Sequence, residues 1–475
     1  MLSFIKYLSQ RFLQSRYSLE DVSISHLSLD YSHWVRHELF CLQSGPWSNG
    51  FTQDQIIDAQ ELSTSSEEIQ SSDTERINLT ALRCFTLDEP GTQELDDALS
   101  YEKDEEGREW IWIHIADPDR LITAESNLDL EARKRATSLY IASGTLPMFP
   151  VELAGGSLSL KQGQRCAALS AAIHLEKSGE VTEVIFHRSW ISLTYRLTYE
   201  DGDELIELGP TGDQELANLS RLMSIRKGWR QRQGALELEQ AEGRFCQDGE
   251  TIGIEVIEPS CSRQMVAEAM ILMGATFAEL GKRQNIPLPY RGQQSAELPL
   301  SVELKALPEG PVRHTAIKRC LSRGTLGTKP MPHFSLGLSE YTQATSPIRR
   351  YSDLILQRQL LGYQSGKHIL TEFELEHLIH SLEPTLKQAT QIAREDQRHW
   401  QQVWFEKHRC KQWPAQFLRW LREYDQLALI YINSLALELP VRCPQNSEPG
   451  DSLILVVESV DSSMGILSLR AIAMV

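Results

Sequence analysis

The sequence predicts an α+β protein: a short, mainly helical N-terminal region, a large mixed domain, and a small all-β barrel of OB type at the C-terminal end. Three observations lead there. Apolar runs of strand length stand at 82–87, 110–115, 167–175 and 181–190. Apolar residues then recur at helical spacing at 213–231, 262–283, 352–362 and 373–403. After Lys411 the texture changes again, to five short strand-like runs at 417–423, 427–432, 436–442, 452–457 and 466–471, separated by turn residues.

Residues 1–62 read as mainly helical, with a turn at Gly45-Pro46. The opening MLSFIKYLSQRFLQSRYS is basic and holds no acid before Glu20. It reads as an amphipathic surface helix with Leu2, Ile5, Leu8 and Phe12 on one side; an organelle-directing leader is the alternative. Residues 63–80, which include the polar STSSEEIQSSDTE, read as an acidic linker. The large domain then occupies 81–409 and the barrel 410–475.

Composition excludes several classes. A hydrophobic fraction of 41% and a charged fraction of 24% suit a globular chain, and no apolar run approaches the roughly 18 residues of a membrane span. A protein without a membrane partner, placed in the cytoplasm, is the expectation. The eight cysteines are scattered with no C-x-x-C pair, which argues against structural zinc and a disulfide framework. The net charge of −18 concerns solubility and long-range repulsion, not the potential inside one groove. Cations do cluster, at Lys318, Arg319, Arg323 and Lys329, at Arg349, Arg350 and Arg358, and at Arg394, Arg398, Lys407, Arg409 and Lys411. Such clusters suit a phosphate track or a solvated face.

The most informative stretch is TLDEPGTQELDDAL, residues 86–99. Asp88 ends a strand, and Glu94, Asp96 and Asp97 follow a Pro-Gly turn. Clustered hard oxygen donors are what Mg²⁺ requires; a solvated acidic turn is the alternative. Adjacent residues point to opposite faces of an extended chain, so Asp96 and Asp97 converge only if the loop curves.

This stretch resembles the D-x5-D-x-D-D signature of the ribonuclease II/R (RNB) family, with Glu94 at one of its aspartates. Residues 341–354, YTQATSPIRRYSDL, are similar to the family's Y-x-x-x-T-S-P-I-R-[RK]-Y-x-D segment. There Ser352 or Asp353 is expected to cap the following helix. Residues 135–150, RATSLYIASGTLPMFP, resemble its R-x-T-S-x-Y…P-M-x-P segment. Further likeness at His114–Pro118, Arg196–Glu200 and Met265–Met270 extends the resemblance from about 82 to 404.

The resemblance implies an RNB catalytic domain and a 3′→5′ exoribonuclease that hydrolyses single-stranded RNA processively to 5′-nucleoside monophosphates; a monomer is the default expectation. Two Mg²⁺ ions, or Mn²⁺, would be held by Asp88, Glu94, Asp96 and Asp97. Asp96, Asp97 and Arg349 would be catalytic, and Tyr140, Arg349 and Arg350 would contact RNA. The chain departs from the pattern in four places. Glu94 is one methylene longer than aspartate, residues 1–80 are too short for paired cold-shock barrels, Arg394 with Glu395 stands where some members carry a helpful glutamate, and 293–298 holds no second stacking aromatic. These departures motivate the alternative, an RNA-binding regulatory protein on a catalytically weakened scaffold.

Overall fold

The computed structural model describes residues 45–48, 50–248 and 251–474. The amphipathic helix expected at the chain start lies outside the described residues. Helix α1, Gln53–Thr64, opens with a capping box in which Thr52 accepts the Gln55 N–H.

The large domain is built on a seven-stranded sheet. Its strands are β1 (Ile77–Asn78), β2 (Cys84–Asp88), β3 (Asp97–Lys103), β4 (Glu109–Ala116), β7 (Arg165–Leu175), β8 (Val181–Ser192) and β9 (Tyr195–Thr198), in the order β1-β8-β7-β4-β3-β2-β9. A short hairpin, β5 (Leu139–Ile141) and β6 (Gly144–Leu146), projects between β4 and β7 in sequence. Side chains alternate across the sheet as a pleated strand demands. Phe85, Leu87, Leu99, Ile111, Ile113, Leu169 and Ile173 pack on one face. That face is covered by α4 (Glu215–Arg232) and α5 (Cys261–Gln284); α3 (Tyr199–Leu208) lies at its edge. The other face is covered by α2 (Asn127–Arg135), α8 (Tyr351–Gln364) and the first turns of α9 (Glu372–Lys407), through Leu128, Tyr351, Leu354 and Ile379. Because both faces are covered, central β4 is buried from Trp110 to Ala116. The remaining elements are the hairpin β10 (Glu242–Asp248) and β11 (Thr251–Ile257), the pair β12 (Tyr290–Gly292) and β13 (Thr325–Gly327), and helices α6 (Ser301–Ala306) and α7 (Pro311–Lys318).

Strands β14 (Gln412–Arg422), β15 (Leu427–Ile432), β16 (Leu437–Arg442), β17 (Ser452–Asp461) and β18 (Ile466–Ala473) close into a barrel in the order β14-β15-β16-β18-β17. Within the barrel, among the described residues, β16 and β18 pair in parallel, which is the Greek-key closure of an OB-type barrel. The α+β expectation, a mixed domain followed by a five-stranded barrel, is borne out.

Two expectations need correction. The stretch read as a linker is packed onto the large domain. Asp73 is buried and pairs with Arg76 at 2.9 Å and Arg120 at 2.9 Å, while Arg76 reaches Asp117 at 2.6 Å. Composition misleads here because a few buried ion pairs, whose Arg76 and Arg120 guanidinium groups stack on the Trp190 ring, anchor an otherwise polar stretch. The cap of α8 also differs. Arg350 is its N-cap without a side-chain bond, and Asp353 instead accepts the Ser346 N–H at 2.9 Å, folding the preceding loop back on the helix.

Candidate active site

The four acids occupy a loop that is pinned along its length. Asp88 ends β2, and Thr92 N–H closes a turn on the Glu89 carbonyl. Leu95 is buried, donates to Ser159 Oγ at 2.9 Å and accepts from Leu160. The Asp96 carbonyl accepts the Ala116 N–H at 2.8 Å, and Asp97 begins β3 opposite Ile115. The loop therefore curves before the strand starts, which is the condition for adjacent carboxylates to serve one site.

The Thr-Ser-Pro-Ile-Arg-Arg segment meets this loop directly. The Ile348 N–H donates to Asp96 Oδ1 at 2.8 Å, and Arg349 Nε donates to Asp96 Oδ2 at 3.2 Å. Upstream, the backbone of Thr342 packs closely on α5 at Gly274, where a Cβ would stand 2.2 Å from the Thr342 carbonyl. Arg350 goes elsewhere, to Asp353 at 2.6 Å. The third motif closes the ring: Thr137 Oγ1 and the Ser138 N–H both donate to the Arg349 carbonyl, at 3.0 and 2.9 Å. Ser138 Oγ and the Tyr140 hydroxyl then donate to the two oxygens of Glu94, at 3.2 and 2.8 Å. Tyr140 remains 48% exposed, a large aromatic ring offered to solvent at the rim of the site.

Thus Asp88, Glu94, Asp96, Asp97, Arg349 and Tyr140 come together, and Arg350 flanks them without touching the acids. Ser138 was not singled out from the sequence. Its signal was its place between Arg135 and Tyr140 in one motif. Nor were Tyr199 and Arg263, which stack at 4.1 Å beside the cluster while Arg263 pairs with Glu89 at 2.6 Å.

The electrostatics are unusual for carboxylates. Burial pushes Asp96 up to about 8, opposed by the Arg349 charge. Burial, with repulsion from Asp88, pushes Asp97 up to about 7. Asp88 rises to about 6 through burial and the charge of Asp96. Glu94 is raised by burial, against the bonds from Tyr140 and Ser138. A buried group of oxygens held short of positive charge is, by its donor chemistry, a fit for a hard divalent cation such as Mg²⁺ or Mn²⁺. Among the described residues, however, no three acidic, histidine or cysteine side chains form a ready ligand set. Asp96 and Glu94 have turned their oxygens to Ile348, Arg349, Ser138 and Tyr140. Mg²⁺ characteristically takes few carboxylates and completes its shell with water and substrate phosphate, so the donor chemistry suits the ion without a full cage.

A pH dependence follows. Without metal, the folded state retains protons that the unfolded chain gives up near the ordinary carboxylate value of about 4. Stability should fall as pH rises from about 4 towards about 8, because the unfolded state binds fewer protons across that window. In EDTA the Tm is expected to drop between about pH 6 and about pH 8, and Mg²⁺ should raise it more at the higher pH. Scanning calorimetry at both values checks this. An equal Mg²⁺ shift at both would contradict it.

Comparison with known proteins agrees with this geometry. The RNB domain matches residues 76–366. An uncharacterized ribonuclease of Synechocystis sp. is 41% identical over 438 residues, covering 92% of this chain and 66% of the relative. The chloroplastic/mitochondrial ribonuclease II of Arabidopsis thaliana is 35% identical over 393 residues, covering 81% of this chain and 49% of the relative. The chain therefore spans about two thirds of the first relative's length and about half of the second's. Among solved structures, Mycoplasma genitalium RNase R in complex with ribose-methylated single-stranded RNA superposes with a TM-score of 0.76 at 18% identity, over 89% of this chain and 76% of that one. Yeast Ssd1, a pseudonuclease, superposes at 0.64 with 17% identity, over 83% and 54%, so the fold by itself does not decide catalysis. The domain match runs across more than half of the chain, through the same residues that build the acidic loop and its arginine, and the chain belongs to the RNB domain family.

Proposed function

We propose that the chain is a metal-dependent 3′→5′ exoribonuclease that hydrolyses single-stranded RNA processively to 5′-nucleoside monophosphates, acting as a cytoplasmic monomer. The observation that carries this reading is the convergence of four acids with Arg349 beneath the exposed Tyr140 ring. Tyr140 offers a face on which a terminal base stacks without regard to its identity, and its bond to Glu94 fixes the ring's position. Arg349 keeps 39% of its side chain exposed, and only Nε is engaged with Asp96, so its terminal nitrogens can meet a scissile phosphate. Asp88, Glu94, Asp96 and Asp97 would hold the cations, which supply phosphate polarisation and a more acidic water. The covered sheet behind the loop keeps bulk water from that side of the acids.

The names of the relatives support ribonuclease chemistry, and the RNase R complex supports single-stranded RNA as the ligand class. The second reading is an RNA-binding regulator on a weakened scaffold. It is favoured by Glu94, and by Arg394–Glu395, of which Glu395 accepts a hydrogen bond from its helix neighbour Gln391. Direction and substrate are tested with a 5′-labelled RNA, a 3′-phosphate-blocked copy and a DNA of the same sequence. Progressive shortening of the RNA alone is expected. Shortening of the DNA at a comparable rate would overturn the substrate assignment, internal cuts would overturn the exonucleolytic reading, and immediate release of the labelled 5′ nucleotide would overturn the direction.

Glu94 gives a sharper test. Both of its oxygens are engaged at full reach by Ser138 and Tyr140, so the surrounding loop accommodates the longer arm. Glu94→Asp should lose the Tyr140 bond and lower turnover by about tenfold, the scale of one lost hydrogen bond to a charged group. A faster variant, or one needing less Mg²⁺, would show that the long arm misplaces the cation.

The barrel cannot be cut away cleanly. Its core is continuous with Trp400, Trp404 and Phe405 of α9 and with Phe245 of β10. Point changes on its loops are the cleaner probe. Tyr424, 83% exposed, sits in the turn between the first two barrel strands, one of the loops through which OB barrels bind single strands. Tyr424→Ala is expected to weaken binding of a long single-stranded RNA by about tenfold and to spare cleavage of very short oligonucleotides. Unchanged affinity in a salt series would make this loop a structural cap.

A further inference from the structure

A cavity of about 630 Å³ opens on the α8 face formed by Tyr351, Ile355, Arg358 and Gly362. The 367–370 loop and the start of α9 complete its wall. Neither the four acids nor Arg349 nor Tyr140 lines it, so it is separate from the candidate active site. Its volume lies within the range of small-molecule pockets, about 300–1,000 Å³.

Its charges are unevenly engaged. Arg358 is fully committed, to Asp119 at 2.7 Å, Asp129 at 2.6 Å and the Ile122 carbonyl at 2.8 Å. Arg133 is taken by Glu125 and the Tyr351 hydroxyl. Glu374 spends a carboxylate oxygen capping Thr371. Arg188 differs. Its side chain is only 10% exposed, the nearest carboxylate oxygen, on Asp119, is 3.7 Å away, and its Nε is buried without a hydrogen-bond partner. That Nε is shut off from the cavity; the part of the side chain that is exposed there, with no carboxylate within hydrogen-bond distance, keeps donor capacity for an anion. Lys367 lies on the same cavity, exposed and without an ion pair among the described residues. The lining also includes the aliphatic side chains of Ile355, Leu361, Ile369 and Leu378.

We propose that this cavity binds a nucleoside 5′-monophosphate, its phosphate against Arg188 and Lys367 and its base along these aliphatic side chains. The proposal does not depend on the catalytic reading, because none of the residues used belongs to that site. The arrangement matches the ligand's two chemistries. A dianionic phosphate is met by the fork of a guanidinium and by the point charge of an ammonium, and a flat base packs on apolar side chains.

The test is calorimetric titration of the full chain in EDTA with adenosine 5′-monophosphate, with adenosine and inorganic phosphate as separate arms. The expected result is one saturable site for the nucleotide, with adenosine and phosphate each binding at least about tenfold more weakly. Lys367→Glu changes an exposed side chain and so leaves folding intact; it should weaken nucleotide binding by about tenfold or more, as should Arg188→Gln, while Arg349→Ala should leave it unchanged. No saturable binding at millimolar nucleotide would overturn the proposal. So would affinity indifferent to Lys367→Glu, or affinity lost in Arg349→Ala, which would place the nucleotide in the catalytic centre. Phosphate bound as tightly as the nucleotide would overturn the assigned ligand class.

Discussion

Replacing Asp97 with asparagine is expected to lower turnover of single-stranded RNA by about 10³-fold while leaving RNA affinity within about threefold. The two side chains have nearly the same shape, so β3 and its pairing with Ile115 should persist. What is lost is a negative oxygen at the start of the strand, in a position that burial already makes reluctant to ionise. On the proposed reading, ground-state binding would rest on the Tyr140 ring, Arg349 and the barrel loops, none of which changes. The same variant should be more stable than the parent in EDTA at about pH 8, because a neutral amide removes a buried charge. Single-turnover kinetics and a binding isotherm check both halves. A variant that keeps more than half of the parent rate at saturating Mg²⁺ would remove Asp97 from the catalytic set.

Arg349→Ala should cost about 10²-fold in turnover, the usual scale for one donor aimed at developing charge. Here a second effect adds to it. Arg349 is the cation beside buried Asp96, and without it that carboxyl should hold its proton more tightly. The variant should therefore require more Mg²⁺ for half-maximal rate, and the requirement should ease as pH rises. Arg349→Lys should recover little, because a lysine ammonium cannot contact Asp96 and a phosphate with the fixed fork of a guanidinium. The backbone of residue 349, which accepts from Thr137 and Ser138, is unaffected by either change, so folding should survive. Parent-like Mg²⁺ dependence in Arg349→Ala would separate this arginine from the metal site.

What could be read from the sequence was what depends on local pattern. Four strands of the mixed domain announced themselves as apolar runs and the five of the barrel as short runs between turns, while others, β3 and β9 among them, were not read; the acidic loop showed by its spacing after Asp88. The barrel's merging with α9 through Trp404 and Phe405 was not legible, because a helical apolar stripe does not say which neighbour will cover it. The packed course of 65–76 was missed for a related reason. Its anchors, Asp73 with Arg120 and Arg76 with Asp117, are contacts between residues distant in the chain. At the site, residue types were visible but their partners were not. That Arg349 would turn to Asp96 while Arg350 turned to Asp353, and that Glu94 would be held by Tyr140, depends on where three separate segments meet.

The central claim is that these three segments form a working hydrolytic centre, and not only an RNA cradle. Its most direct measurement is incubation of the chain with uniformly labelled poly(A) and Mg²⁺, beside a parallel reaction in EDTA, with products resolved by thin-layer chromatography. Release of 5′-adenosine monophosphate in Mg²⁺, and its absence in EDTA and in Asp97→Asn, is the expected result. RNA retained by the protein with no monophosphate released at any Mg²⁺ or Mn²⁺ concentration would contradict it, and would make the chain a binding protein on the same fold.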